Sequence, residues 1–332
     1  MKLSQKKIFL YLIVALEIIG GIAGLYFFYK HQISKKPQHI TLIEKESLTF
    51  PKKENFVYFY ELEKDIKHTV QPSWLSYSVT YNHNKDGLND RFDYSINQEN
   101  NIFRIITLGD SFTYGQYVPT EKNWTELLED ELNERLSNSE IKFEVINLGM
   151  PGYDIPYIVE RYKTHGNKYQ PDLVIWFESG SGFIRNTEET KFFIDDCEKK
   201  NGKDSEVIMK KTELQCWEKA QKKLMEKYGS EEKLNEFFNL YLDDFFEFFP
   251  DKTKIIFFTF QQPTHYESTI HRLIKFRRTN YPEVLIKDIV PDINELKQTL
   301  PDSHPNEEGH QTIKKAIYSY LEKKIKNNYW SF

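Results

Sequence analysis

The chain has 332 residues, enough for one large domain or two small ones, and its 39% apolar and 15% aromatic content supports a sizeable core. That composition excludes global disorder. A net charge of −5 with acids and bases interspersed argues against a nucleic-acid binder, and the sequence holds no Walker-type glycine loop, zinc-spaced Cys/His set or internal repeat.

The first apolar element is "IFLYLIVALEIIGGIAGLYFFY", Ile8 to Tyr29. As a helix it measures about 33 Å, which matches a bilayer core of about 30 Å. Glu17 opposes insertion by about 3 kcal/mol, but the thirteen Ile, Leu, Val and Phe residues outweigh it at roughly −0.3 to −0.6 kcal/mol each. The run is long for a signal-peptide core and no A-x-A site follows, so residues 1–36 read as an uncleaved membrane anchor. Lysines flank it evenly (Lys2, Lys6 and Lys7 before; Lys30, Lys35 and Lys36 after), so charge does not orient it. Cys197 and Cys216 are the only cysteines. In an exported domain they would suit one disulfide, worth about 3 kcal/mol for a loop of about 20 residues. We therefore expect the globular part to face the periplasm or the cell exterior.

Residues 37–100 read as a juxtamembrane spacer followed by a Tyr- and Asn-rich lead-in, with short alternating stretches such as "WLSYSVTYN" that predict a small antiparallel element. From residue 101 five short, nearly continuous apolar runs follow: "FRIITLG", "FEVINLG", "DLVIWFE", "KIIFFTF" and "EVLIKDI". Strands buried on both faces of a parallel sheet read this way. Amphipathic stretches separate them, among them "TEKNWTELLEDELNERL" with Trp124, Leu127, Leu128, Leu132 and Leu136 on one face, "YIVERYKTHG", "HRLIKFRR", and the closing "NEEGHQTIKKAIYSYLEKKI". The alternation predicts a three-layer α/β/α sandwich around a central parallel sheet of about five strands, spanning 101–186 and 250–328. The interruption at 187–249 predicts a helical insertion. Its "SEEKLNEFFNLYLDDFFEFF" carries an aromatic stripe at helical spacing, expected to dock by packing, and both cysteines lie in it.

Ligands of an open parallel sheet bind beyond the carboxyl ends of its strands. Three loops there, and the start of the last helix, carry the chemistry-bearing residues: Gly109-Asp110-Ser111, "NLGMPGYD" with Gly149 and Gly152, "ESGSGFIRN", and "PDSHPNEEGH" with Asp302, His304 and His310. A serine hydroxyl becomes a nucleophile when a base takes its proton, and the base needs a third group to hold its tautomer. Ser111, His304 and Asp302 supply those types. The bland alternatives are a strand-to-helix turn at Asp110-Ser111 and a capped helix start at "DSHPN". His165 and His271 fit exposed or satisfied positions, His310 fits packing or capping, and Tyr114, Tyr153 and Phe183 flank the motif loops as candidate pocket walls.

"FRIITLGDSFTYG", "VINLGMPGYD", "PDLVIWF" and "DSHPNEEGH", in this order, resemble the SGNH/GDSL hydrolase family, over about residues 80–186 and 250–325. The lead-in "NHNKDGLNDRFDY" is similar to the segment before the first block in membrane-anchored or secreted bacterial members. The resemblance implies a flavodoxin-like fold, no metal or organic cofactor, and hydrolysis of acyl esters. It implies Ser111 as nucleophile, His304 as base and Asp302 as its orienting acid, with Asp110 in support. The N–H groups of Ser111 and Gly152 would hold the oxyanion, with Gly149 as runner-up. Where the family shows an Asn-Asp pair after the third strand, this chain has Ser181 and Gly182. Ser181, or Asn186 swinging in, would then stand in as the third donor. The implied substrate is a small acyl ester, such as an acetyl group on envelope polysaccharide. The rival readings are an O-acetyltransferase acting on a glycan and a catalytically impaired carbohydrate-binding or assembly protein.

Overall fold

A computed structural model describes residues 56–136, 141–180, 185–201, 206–247, 249, 253–261 and 284–327. The apolar run 8–29, Ser181, Phe183 and the "HRLIKFRR" stretch with His271 lie outside the described residues. Among the described residues no helix is long and apolar enough to cross a membrane.

The lead-in forms an antiparallel pair, β1 (Ile66–Val70) and β2 (Val79–His83). The five apolar runs form β3 (Ile102–Leu108), β4 (Lys142–Asn147), β5 (Leu173–Glu178), β6 (Lys254–Phe260) and β7 (Val284–Val290). They make one all-parallel sheet in the order β4-β3-β5-β6-β7. Its strands therefore run 2-1-3-4-5 in chain order, and the direction of winding reverses between β3 and β5, where such sheets bind ligands.

Because side chains alternate along a strand, each run feeds two cores. Ile105, Val145, Ile175, Phe177, Ile256 and Phe258 face one side. There they meet Trp124, Leu128 and Leu132 of α2 (Trp124–Arg135) and Ile313, Ile317 and Leu321 of α7 (Glu307–Lys326). Ile106, Leu108, Ile146, Val174, Trp176 and Phe257 face the other side, against α3 (Ile155–Arg161) and α6 (Glu231–Glu247). α1 (Ser111–Tyr114) is a single turn at the end of β3, and α4 (Thr187–Asn201) and α5 (Glu206–Tyr228) precede α6.

The aromatic stripe of α6 docks as its spacing predicts. Leu234, Phe238, Leu242, Phe245 and Phe246 are buried, and Phe245 meets Trp176 edge-on at 5.2 Å. Each such side chain contributes about 1.5–3 kcal/mol of burial. α6 thus closes one face of the sheet as a layer helix, and the lead-in shares that core through Phe59, Leu62, Val79, Tyr81 and Leu88. Cys197 of α4 and Cys216 of α5 are joined by a disulfide.

Buried charge is the feature that hydrophobic patterning misses. Arg104 sits fully buried in β3, where Nε donates to Glu144 Oε2 of β4 at 2.8 Å and a second nitrogen to the carbonyl of Tyr169. Glu126 and Glu129 of α2 gather with Asp90 of the lead-in around the hydroxyl of Tyr94, with Arg91 bridging Glu126 and Asp130. Burial, with the neighbouring Asp90 charge, pushes the Glu129 carboxyl up from 4.5 to about 7. The folded state therefore keeps a proton that the unfolded chain releases. Stability is greatest below pH 4.5 for this group and falls as pH rises towards 7. Gln keeps an acceptor for the Val145 N–H that Glu129 binds. Glu129→Gln is expected to flatten the decline in unfolding free energy between pH 4.5 and 7 by about 3 kcal/mol, read from urea midpoints.

Candidate active site

β3 ends at Leu108, and after Gly109 the Asp110 side chain caps the one-turn helix α1 by accepting the Phe112 N–H at 3.0 Å. Its other carboxylate oxygen accepts from the Ser179 hydroxyl at 2.5 Å, tying the loop after β3 to the loop after β5. A single turn leaves its last carbonyls unpaired. Asn123 Nδ2 donates to those of Thr113 and Tyr114, and Asn89 Nδ2 donates to that of Tyr114. Side-chain amides from the lead-in and the start of α2 thus hold a helix too short to hold itself.

Ser111, Asp302 and His304 meet at this edge. Ser111 Oγ lies 2.9 Å from His304 Nε2, and His304 Nδ1 lies 2.8 Å from Asp302 Oδ2. The His304 backbone N–H donates to Asp302 Oδ1 at 3.2 Å, so the carboxylate grips the residue twice. A carboxylate facing Nδ1 accepts a hydrogen bond from its N–H and so keeps the proton on Nδ1, which leaves the Nε2 lone pair for the serine O–H. The His304 side chain keeps 19% of its surface exposed and that of Asp302 9%. The loop carrying them is pinned by Leu300 N–H to the His304 carbonyl at 2.7 Å. Asn306 then caps α7 through the Gly309 N–H.

The loop after β4 lies alongside, with the Met150 N–H on the Gly109 carbonyl at 3.2 Å. Its two glycines differ. Gly149 donates its N–H to Asn147 Oδ1 at 2.9 Å, which removes it as an oxyanion donor. A Cβ there would fall 2.2 Å from the Tyr114 nitrogen, so its place is to let the loop approach α1. Gly152 has φ of +72° with open space around a Cβ, and its N–H donates to no group among the described residues. Gly149→Ala is therefore expected to cost about 2–3 kcal/mol by forcing two backbones apart, and Gly152→Ala about 1 kcal/mol through its left-handed φ alone. Urea titration of both variants checks the order.

Asp154 caps α3, and its carboxylate also accepts the Thr187 N–H at 2.5 Å; burial pushes it up to about 6. This joins the Gly152 loop to the start of α4. Asn186 donates its amide to the Tyr228 hydroxyl of α5 at 3.0 Å, and its backbone carbonyl accepts the Glu189 and Thr190 N–H groups of α4. Its amide is thus engaged with the helical segment rather than directed at Ser111.

Two aromatic expectations are corrected. Tyr114 and Tyr153 are buried rather than pocket-lining: the Tyr114 hydroxyl pairs with His83 Nε2 and the Tyr153 hydroxyl donates to the Tyr60 carbonyl. His165 is satisfied by Glu61 at 2.6 Å. His310 is fully buried, held near 3 by that burial, and accepts the Trp124 N–H at the start of α2. It supplies a side-chain acceptor at a helix start where Asn123 makes no side-chain cap bond. Sequence reading missed Asn89, Asn123 and Asn147 as anchors of the motif loops; the Asn-rich lead-in was a signal for Asn89 alone, since short amides favour backbone partners.

No family model and no curated protein matches the sequence. Solved structures similar to the chain include the psychrotrophic esterase EstA from Pseudoalteromonas sp., at 14% identity over 68% of this chain and 99% of that one, with a TM-score of 0.38. A lipase/acylhydrolase from Enterococcus faecalis matches at 12% identity over 67% and 96%, TM-score 0.40. A member of the lipolytic protein G-D-S-L family from Veillonella parvula matches at 15% over 66% and 97%, TM-score 0.33. The neighbours of this chain among solved structures thus include lipolytic and esterase proteins, one of them of the G-D-S-L family that its motifs resemble.

Proposed function

We propose that the chain is a serine ester hydrolase of the SGNH type. The observation that carries this reading is the hydrogen-bonded run from Ser111 Oγ through both nitrogens of His304 to Asp302. Ser111 Oγ attacks the ester carbonyl carbon while His304 Nε2 takes its proton. Asp302 stabilises the imidazolium and holds its orientation. The N–H groups of Ser111 and Gly152 hold the oxyanion, with the Ser181 hydroxyl as candidate third donor. Collapse breaks the C–O bond to the alcohol, which leaves with the proton from His304. Water, deprotonated by His304, then releases the acyl group and restores the serine.

We take the substrate to be a small acyl ester, such as an acetyl group on envelope polysaccharide. We place the enzyme outside the cytoplasm on an anchor at residues 8–29. The length of that apolar run supports the anchor, and the Cys197–Cys216 disulfide supports an oxidising compartment. The test supplies the full chain with p-nitrophenyl acetate and an unacetylated glycan, then measures free acetate and acetylated glycan separately. The hydrolase reading predicts free acetate in excess. Acetyl groups appearing chiefly on the glycan make the chain a transferase, and no release above the enzyme-free rate makes it a binding protein.

A further inference from the structure

An ester has an acyl half and an alcohol half, and the geometry around His304 distinguishes where each must lie. The histidine returns its proton to the leaving oxygen, so that oxygen must come within about 2.6–3.2 Å of Nε2. Groups that flank the imidazole therefore face the alcohol half. Here the flanking groups are aromatic: Phe112 at 5.6 Å and Tyr117, edge-on, at 5.4 Å between ring centroids. Trp74 meets Tyr117 edge-on at 4.9 Å, extending the row outward.

Trp74 belongs to the lead-in, on the loop between β1 and β2, which Leu75 anchors in the core. Tyr77, on the same loop, is 42% exposed. Burial raises its hydroxyl, and the Glu307 and Asp302 carboxylates raise it further. Tyr117 is held with φ at +68°, a conformation that costs a bulky residue about 1 kcal/mol or more. The Tyr81 hydroxyl accepts its N–H at 2.6 Å and holds it there. A strained residue fixed by its neighbours and aimed at a histidine is a positioned one.

We propose that Trp74, Tyr77 and Tyr117 form the subsite for the alcohol half of the ester and that its occupant is a sugar ring. This rests on the hydrolase reading above and adds to it that the lead-in completes the site. The chemistry of the row selects a sugar over an alkyl or acylglycerol chain. Apolar rings stand beside the imidazole, and Glu307, three residues after His304, is exposed at the start of α7. A hydrocarbon chain lying there would strip water from that acid without replacing its hydrogen bonds. A pyranose offers C–H faces to the rings and a hydroxyl donor to the acid.

The test compares two acetates that differ only in the alcohol, methyl 6-O-acetylglucopyranoside and ethyl acetate, by acetate release from the full chain. Wild type is expected to prefer the sugar ester in kcat/KM. That preference should fall about 10-fold in Trp74→Ala and about 3-fold in Tyr77→Ala, the losses residing in KM. Partial unfolding lowers both rates together and leaves their ratio untouched. A wild type without preference, or variants whose ratio is unchanged, overturns the proposal. If wild type hydrolyses neither ester, the hydrolase reading fails and saturation-transfer NMR with methyl glucopyranoside decides the subsite. Transfer lost in Trp74→Ala upholds it, and transfer absent from wild type or retained in the variant overturns it.

Discussion

Asp302→Asn is expected to leave the chain folded and to lower kcat for p-nitrophenyl acetate by about 10⁴-fold, with KM little changed. Asp302 makes two bonds to one residue, at 2.8 Å to His304 Nδ1 and at 3.2 Å to its backbone N–H. An asparagine can keep one of them through its carbonyl. If the carbonyl stays on the backbone N–H, the NH₂ faces Nδ1, which must then accept. The proton moves to Nε2, and the nitrogen facing Ser111 becomes a donor. A base with no lone pair for the serine cannot take its proton. Because the substitution is nearly isosteric, the unfolding midpoint should move little. A loss of activity that tracks a loss of fold would assign Asp302 to structure alone.

Ser111→Ala is expected to lower turnover by on the order of 10⁴–10⁶-fold. Removing the hydroxyl leaves His304 Nε2 without its 2.9 Å partner, but that side chain keeps 19% of its surface exposed and water can replace it. Stability should therefore change by less than about 1 kcal/mol. The combination of intact fold and lost turnover separates a nucleophile from a turn-forming serine. A serine serving only the turn would show the reverse, a weakened fold with turnover retained; the cap on α1 is made by Asp110 instead.

The strands were legible because β3 to β6 are buried on both faces, and continuous apolar runs have few other uses in a chain of this kind. The stripe on α6 was legible for the same reason, at helical period. Its partner Trp176 was not, since periodicity names a face without naming what covers it. Arg104 inside β3 was illegible because its satisfaction depends on Glu144, which only the strand register brings opposite. Glu126 and Glu129 read as solvent-facing acids of α2 until the lead-in places Asp90, Arg91 and Tyr94 over them.

In the site, Ser111, Asp302 and His304 stood out as residue types on loops expected at one sheet edge. Their meeting across 193 positions was beyond residue types alone. Tyr117 and Trp74 carried no signal, for aromatics are frequent throughout the chain and only a ring beside the imidazole gives them meaning. His310 was read as a packing or capping group. The structure adds which N–H it caps, that of Trp124, a contact between residues 186 apart.

The central claim is that Ser111 is a nucleophile activated by His304. The direct measurement is peptide mapping by mass spectrometry after reaction of the full chain with a fluorophosphonate. The account predicts one adduct, on the Ser111 hydroxyl, absent from Ser111→Ala and strongly slowed in His304→Ala. Equal labelling of wild type and Ser111→Ala, or an adduct on another residue, would contradict it.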